Sequence, residues 1–496
     1  MRSSQTISSE LSKRCSRLRL PRNKTKIVCT IGPASRSESV LRELIRHGMN
    51  VARLNFSHGH PEEHREDIQL IRSLARQSNR LVAIMIDLPG PKIRIGQLPQ
   101  EPVMLKKGDE VTLTTKPAVG KSFIPVEYKK LPQSVSKGKI IYLNDGFIQL
   151  RVEEVKVDRV RCKVIIGGPL LSHKGLNLPG ARISGEAVTE QDLKFVDFGL
   201  GEGVSIFGLS FVEKAEDILK IKDFARRKGK SIRVVAKIER AEAVKNIDSI
   251  MAAADAIMVA RGDLGVQIPL ENVPAVQKKL IYKANLMGRP VITATQMLES
   301  MTQNVRPTRA EVADVANAIL DGTDAVMLSE ETAIGRYPVE TVKIMSRIAA
   351  AAEQQFSTTR GSSGLEEQFR HHISRKEITV EDVVSLSVIE ARRALNARLI
   401  ITPTHTGSTP RRISRFKPDS WILSFGSDKE TYQFLAFSYG VYPFLIKNNI
   451  KGWHEVILRF IKDSGLAQKG DRVILTEGVT PGQRGGTDSL RIISVT

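Results

Sequence analysis

Between Lys26 and Leu328 the chain alternates two hydrophobic rhythms. Predominantly apolar runs cover Lys26 to Ile31, Val51 to Asn55, Leu81 to Asp87, Val204 to Leu209, Ile232 to Ile238, Ala256 to Ala260, Val291 to Ala294 and Ala325 to Leu328. Runs rich in Val, Ile and Ala, without polar alternation, predict strands covered on both faces. In the segments between, apolar positions fall three or four apart. These predict helices over Ser37 to His47, Pro61 to Ala75, Lys214 to Lys228, Ala241 to Ala253, Val273 to Asn285, Ala310 to Leu320 and Pro338 to Ala351. Thr308 and Glu311 have the spacing of a capping box, and Gly322 stands where that helix should stop. Eight strand–helix units in succession predict an α/β fold, a closed (β/α)8 TIM barrel.

The rhythm breaks twice. After Asp87, Leu88-Pro89-Gly90-Pro91 continues neither a strand nor a helix, and short alternating strands follow from Ile95 to about Gly180. Val111 to Thr114 and Ile140 to Leu143 are examples, with Asn144-Asp145-Gly146 as a hairpin turn. This predicts an all-β insertion that emerges at the carboxyl ends of the barrel strands, where it can act as a lid. The second break is a Ser/Thr/Gly linker, Ser357 to Gly364. Beyond it a helix over Val383 to Ala394 and strands at Leu399 to Ile401, Trp421 to Leu423 and Arg472 to Leu475 predict a separate α/β domain. The expected division is an extension over 1–23, a barrel over 24–91 and 181–355, a β lid over 92–180 and a C-terminal α/β regulatory domain over 356–496.

Composition narrows the functional classes. Three cysteines without metal-ligand spacing favour a reducing, cytoplasmic compartment, and no apolar run is long enough to span a bilayer. The chain carries 75 Lys and Arg against 54 Asp and Glu, a net charge of +21. The cations are dispersed and aromatics make up 5%, so the charge fits steering of anionic metabolites better than nucleic-acid recognition. The Ser- and Arg-rich segment Met1 to Arg22 has the composition of a disordered tail or a transit peptide.

Three strands run directly into chemistry: one into Lys237 and Glu239, one into Arg261, Gly262 and Asp263, one into Thr295. Parallel strands bring their carboxyl ends to one face. A Lys, an Arg and two carboxylates focused there point to a divalent metal and a phosphorylated anion. Surface ion pairs explain one such strand end more easily than three in a row.

The segments Lys26 to Ser35, Asn50 to Gly59, Gly90 to Arg94, Ala236 to Glu239, Val259 to Gly265 and Ala294 to Met301 resemble the signatures of the pyruvate kinase family, and the likeness extends from Lys24 to Val495. It implies the same barrel, lid and C-terminal domain, and phosphoryl transfer from phosphoenolpyruvate to ADP. It also implies roles for single residues. Glu239 and Asp263 would hold Mg²⁺ or Mn²⁺. Lys237 and Arg53 would meet the phosphoryl group in flight. Thr295, with the amides of Gly262 and Asp263, would hold the substrate carboxylate and join the network that protonates the enolate. Ser210 and Ser329 would support them. Asn55, His58, Arg94 and Lys174 would face the nucleotide, with Asp145 in a lid turn. His60 and His64 are expected to be solvated.

Departures from the family pattern carry further expectations. Asn55, Ser57, Asp87 and Leu88 occupy the places of a monovalent-cation site, but Lys92 stands where K⁺-requiring members carry Glu. An ammonium there can replace K⁺; its plainer role is to pair with a neighbouring carboxylate. Glu330 and Ile334 replace Gly and Lys, and Asn144 replaces an Asp of the lid turn. Thr404, Thr406, Ser408, Thr409 and Arg411 resemble an effector-phosphate loop, with Gly482 to Thr487 as a second basic loop. The family resemblance also implies a homotetramer; from composition and the length of the apolar runs, neither nucleic acid nor membrane is expected as a partner. The competing readings are a barrel lyase or aldolase acting through a metal-bound pyruvate enolate, and a catalytically silent basic scaffold. Neither requires both Lys237 and Lys174.

Overall fold

The computed structural model describes residues 18–116, 120, 122–180, 187–359, 364–375, 378–446, 453–478 and 486–496. Among these, eight parallel strands close a barrel: β1 Lys26–Ile31, β2 Met49–Asn55, β3 Ala83–Leu88, β4 Ile206–Leu209, β5 Arg233–Ile238, β6 Ala256–Ala260, β7 Val291–Ala294 and β8 Ala325–Leu328. Neighbours in the ring are neighbours in the chain, and β1 closes it against β8, with Lys26 opposite Ala325. Every residue of β1, β3, β4, β6, β7 and β8 is buried, which explains why their sequences do not alternate.

The alternation lies between two cores rather than between core and water. Ile27, Cys29 and Ile31 of β1 point outward to the helices, while Val28 joins Val51, Met85, Val235, Met258 and Met327 in the lumen. Phe434 and Phe437, from the C-terminal region, complete that inner core at the strands' amino ends.

The insertion contributes a six-stranded sheet in the order Leu176–Asn177, Ile140–Leu143, Ile148–Val155, Arg159–Ile166, Glu110–Thr114, Phe123–Pro125, with a two-stranded ladder beside it. Its core, which runs from Ile93 to Leu178, is its own. The C-terminal sheet has Val441–Leu445, Trp421–Gly426, Leu399–Pro403 and Arg472–Glu477 in parallel and Ser489–Ser494 antiparallel at one edge.

Two local expectations change. The helix expected over Ala241 to Ala253 breaks at Asn246, whose side chain donates to the Glu213 carbonyl at 2.9 Å. The expected hairpin at Asn144–Gly146 does form, joining Ile140–Leu143 to the antiparallel Ile148–Val155 through a 3-10 turn with φ of 51° at Asn144 and 93° at Gly146. The expected linker start is helical: the alanines before it propagate the helix Pro338–Thr359. Of the second basic loop only Gly486 and Thr487 lie within the described residues, and of the N-terminal extension only 18–23.

Candidate active site

Period-two geometry explains the charged mouth of the barrel. Residues of one inward phase at the strands' carboxyl ends share a layer, and here that layer holds Thr30, Arg53, Asp87 and Lys237. Arg53 sits opposite Thr30, and Asn55 opposite Asp87. Asp87 binds Arg53 through Nε at 2.7 Å and Nη2 at 2.6 Å, and its other oxygen lies 3.2 Å from the Lys237 ammonium. Arg53 Nη1 also donates to Thr30 Oγ1 at 2.8 Å. Gly208 makes room, because a Cβ there would meet the Asp87 carboxylate at 3.3 Å.

Lys237 extends the network across β5. Its ammonium lies 2.9 Å from Glu239 and donates to Ser210 Oγ at 2.7 Å, while that hydroxyl donates to the Leu88 carbonyl at 2.6 Å. Burial disfavours the Lys237 cation, but Asp87 and Glu239 overcome it and hold its pKa above the usual value. Burial likewise opposes ionisation of Asp87, and the pull of Lys237 and Arg53 prevails, holding its pKa below the usual carboxylate range. Both groups stay charged at neutral pH.

Glu239 behaves differently. Burial and repulsion by Asp263 raise its pKa against the attraction of Lys237, while its second oxygen accepts from the Phe211 amide at 2.8 Å. Two carboxylates that repel each other, with hard oxygen donors, fit a magnesium-type cation. Among the described residues no group of three or more His, Cys, Asp or Glu side chains converges. Lys92 places its ammonium 3.9 Å from Asp263, so it does pair with a neighbouring carboxylate.

The third strand end closes the site. The amide of Gly262 donates to Thr295 Oγ1 at 2.8 Å, and that hydroxyl donates to the Ala294 carbonyl at 2.6 Å. Glu331, fully buried beneath, accepts from the amides of Ser329 at 2.7 Å and Leu298 at 3.1 Å, fixing the exits of β8 and β7 together.

This geometry can neutralise and orient a small anionic phosphate ester. Comparison with known proteins places it. The sequence model of the pyruvate kinase barrel domain matches residues 22–342, and that of the pyruvate kinase alpha/beta domain matches 382–493. A pyruvate kinase of Thermococcus litoralis is 50% identical over 481 residues, covering 96% of this chain and all of that protein. The chain belongs to the pyruvate kinase family. Pyruvate kinase 2 of Synechocystis is 44% identical over 95% of this chain and 79% of its own length. The crystal structure of a pyruvate kinase from Cryptosporidium parvum superposes with a TM-score of 0.86 at 38% identity, over 96% of this chain and 97% of that one.

Around this core stand the residues expected to meet the nucleotide. His58 is exposed at the surface of the site; the desolvation it does undergo, then the positive charges of Arg94, Lys92, Arg53 and Lys174, lower its pKa. Those four cations, the insertion's Lys174 among them, therefore lie within electrostatic reach of one imidazole. Arg94 donates to the His173 carbonyl at 2.9 Å, tying the two ends of the insertion. In the monovalent-cation set, Asn55 Oδ1 accepts from the Ser57 amide at 3.2 Å, Asp87 is held by Arg53 and Lys237, and the Leu88 carbonyl is taken by Ser210. His64 is not solvated. It is 5% exposed, stacks on Phe56 at 4.2 Å and lies 2.9 Å from the His58 carbonyl, since the helix Pro61–Gln77 turns it inward.

Thr404 Oγ1 accepts from the Gly407 amide at 2.9 Å, in the turn that enters the helix Ser408–Ser414, and the hydroxyls of Thr409 and Thr487 bond each other. Thr406 and Ser408 are partly exposed in that turn. Arg411 donates from Nε to the Gly407 carbonyl of that turn at 3.0 Å, while its guanidinium stacks over Phe434 and faces Arg233 and Arg289 of the barrel, and burial and their repulsion push its pKa down to about 10. Thr30, Gly208 and Phe211 were not singled out from the sequence. Thr30 and Gly208 are signalled by sharing the inward phase of Arg53 and Asp87, whereas a backbone amide such as that of Phe211 leaves no such signal.

Proposed function

We propose that the chain transfers the phosphoryl group of phosphoenolpyruvate to ADP, forming pyruvate and ATP. The observation that carries this is the Lys237 ammonium, largely buried and charged between Asp87 and Glu239 at the barrel mouth. Negative charge spreads over the phosphoryl oxygens during transfer, so a fixed cation aimed there is the main catalytic requirement. Arg53 would supply a second cation, oriented by Asp87 and Thr30. Glu239 and Asp263 would hold Mg²⁺ or Mn²⁺, which when bound neutralises and orients phosphate oxygens. Thr295, with the amides of Gly262 and Asp263, would seat the carboxylate, and its hydroxyl belongs to the path by which the enolate carbon gains a proton. Ser210 and Ser329 support these groups. Asn55, His58, Arg94 and the lid residue Lys174 would receive ADP.

The proposed activity is independent of K⁺. Lys92 brings a fixed positive charge, and Asn55, Asp87 and Leu88 already have donors of their own. A phosphorylated effector would bind near Thr404, Thr406, Ser408 and Thr409, with Arg411 linking that loop to the barrel, in a homotetramer. The domain limits 24–91 with 181–355, 92–180 and 356–496 are part of the same reading. The test is a steady-state assay with phosphoenolpyruvate, ADP and Mg²⁺, with and without K⁺. Full pyruvate formation without K⁺ is expected; turnover that appears only on adding K⁺ contradicts the role of Lys92.

A further inference from the structure

We propose that Arg261 is a positioning residue for Thr295, holding the exit of β7 in the shape that aims the threonine hydroxyl into the site. The inference rests on the function proposed above. The sequence groups Arg261 with the anion-binding side chains, because it lies two residues before Asp263 at a strand end. The structure turns it the other way. Its Nη2 donates to the Thr295 carbonyl at 2.7 Å and approaches the Gln296 carbonyl at 3.4 Å, and its Nε donates to the Ala294 carbonyl at 3.2 Å. Nη2 also lies 2.8 Å from Met297 Sδ, while Nη1 pairs with Asp314 at 2.6 Å and reaches Gln277 at 3.4 Å.

Three consecutive carbonyls therefore converge on one guanidinium, a pattern that a planar fork of donors can satisfy and an ammonium cannot. The backbone they belong to is unusual. Thr295 and Gln296 have φ of 66° and 53°, in the left-handed region that a β-branched residue avoids. Such backbone persists where its surroundings over-determine it, and it concentrates at functional sites. Here the surroundings are Arg261 on the carbonyls and, one residue later, the Gly262 amide on Thr295 Oγ1. The exit of β6 thus grips both the backbone and the hydroxyl of the exit of β7. Asp314, on the helix Arg309–Leu320, fixes the direction of the guanidinium. Arg261 spends its donors on the protein, so its effect on the reaction passes through Thr295.

The test compares Arg261→Met, Arg261→Lys and Asp314→Asn with the unaltered chain by steady-state kinetics against each substrate, with thermal melting alongside. Arg261→Met should lower kcat/KM for phosphoenolpyruvate about 10- to 100-fold, as loss of an orienting partner does, and leave KM for ADP within about twofold. Arg261→Lys should recover only part of the loss, and Asp314→Asn should show a smaller fall in the same direction. Unchanged kinetics in the variants overturns the proposal, and so does an equal rise in KM for both substrates. If Arg261→Met does not fold, Arg261→Lys and Asp314→Asn decide by the same criteria. An unaltered chain that forms no pyruvate overturns the proposed function itself, whereas an active chain with indifferent variants overturns only the role of Arg261.

Discussion

Lys26 and Lys237 are both inside the barrel, near opposite ends of its lumen, and their surroundings treat them oppositely. Two carboxylates contact Lys237 and keep it charged. Lys26 donates to the Val441 carbonyl at 2.7 Å and lies 5.1 Å from the Trp421 ring, and burial pushes its pKa down to about 7 against the pull of Glu353 and Asp324. Between that value and the ordinary lysine range, the unfolded chain binds one more proton at this site than the folded chain does. Stability from Lys26 therefore rises with pH, from about pH 7 upward. The melting temperature of the unaltered chain should gain on that of Lys26→Met between about pH 7 and about pH 9; a constant difference contradicts the shift. Lys237 was legible in the sequence as a charge at the end of a strand, whereas Arg53 and Asp87 were marked only by the family resemblance. Arg261 follows a strand rather than lying in it, so no periodicity told which way it turns. His64 was misjudged for a related reason: its helical face becomes visible only once Phe56 is placed beside it.

At the scale of elements, the signals that held were those with a local cause. The capping box forms: Thr308 Oγ1 accepts from the Glu311 amide at 3.2 Å, and Glu311 accepts from the Thr308 amide at 2.8 Å. Glu311 also accepts from the amide of Ser300 at 2.7 Å, so this cap anchors the loop that follows β7. Thr308→Ala should cost about 1 kcal/mol of stability, the usual worth of such a cap, read from denaturant unfolding; no change in the midpoint contradicts the role of the cap. Strands β1, β6, β7 and β8 have the limits their sequences predict. The break at Asn246 was not legible, because its cause is a carbonyl distant in sequence, that of Glu213. The strands Val441–Leu445 and Ser489–Ser494 also escaped, since a proline interrupts one and the other is a mostly exposed edge.

At the scale of the molecule, the barrel and the C-terminal region share hydrophobic interior. Phe437 is fully buried in the same cluster as Val28, Met85 and Met258 of the lumen. Phe437→Ala should cost about 3–5 kcal/mol and lower the melting of barrel and C-terminal region together; an early melt of the C-terminal region alone contradicts the shared core. Beside this junction a cleft of about 1710 Å³ is lined by Arg22, Arg46, Arg76, Arg80, Lys343 and Arg347, so part of the net charge of +21 gathers far from the strands' carboxyl ends. The order of the three units was legible because an insertion and an appended domain each change the hydrophobic rhythm, whereas the aromatic plug joining two of them leaves no rhythm to read. In the proposed function this architecture holds one cation, the Lys237 ammonium, between Asp87 and Glu239. The direct test is pyruvate formation from phosphoenolpyruvate, ADP and Mg²⁺, measured for the unaltered chain and for folded Lys237→Met side by side. ADP-dependent turnover that falls about 10²- to 10³-fold in the variant is expected. A folded chain that makes no pyruvate, or a variant that makes it as fast, would contradict the account.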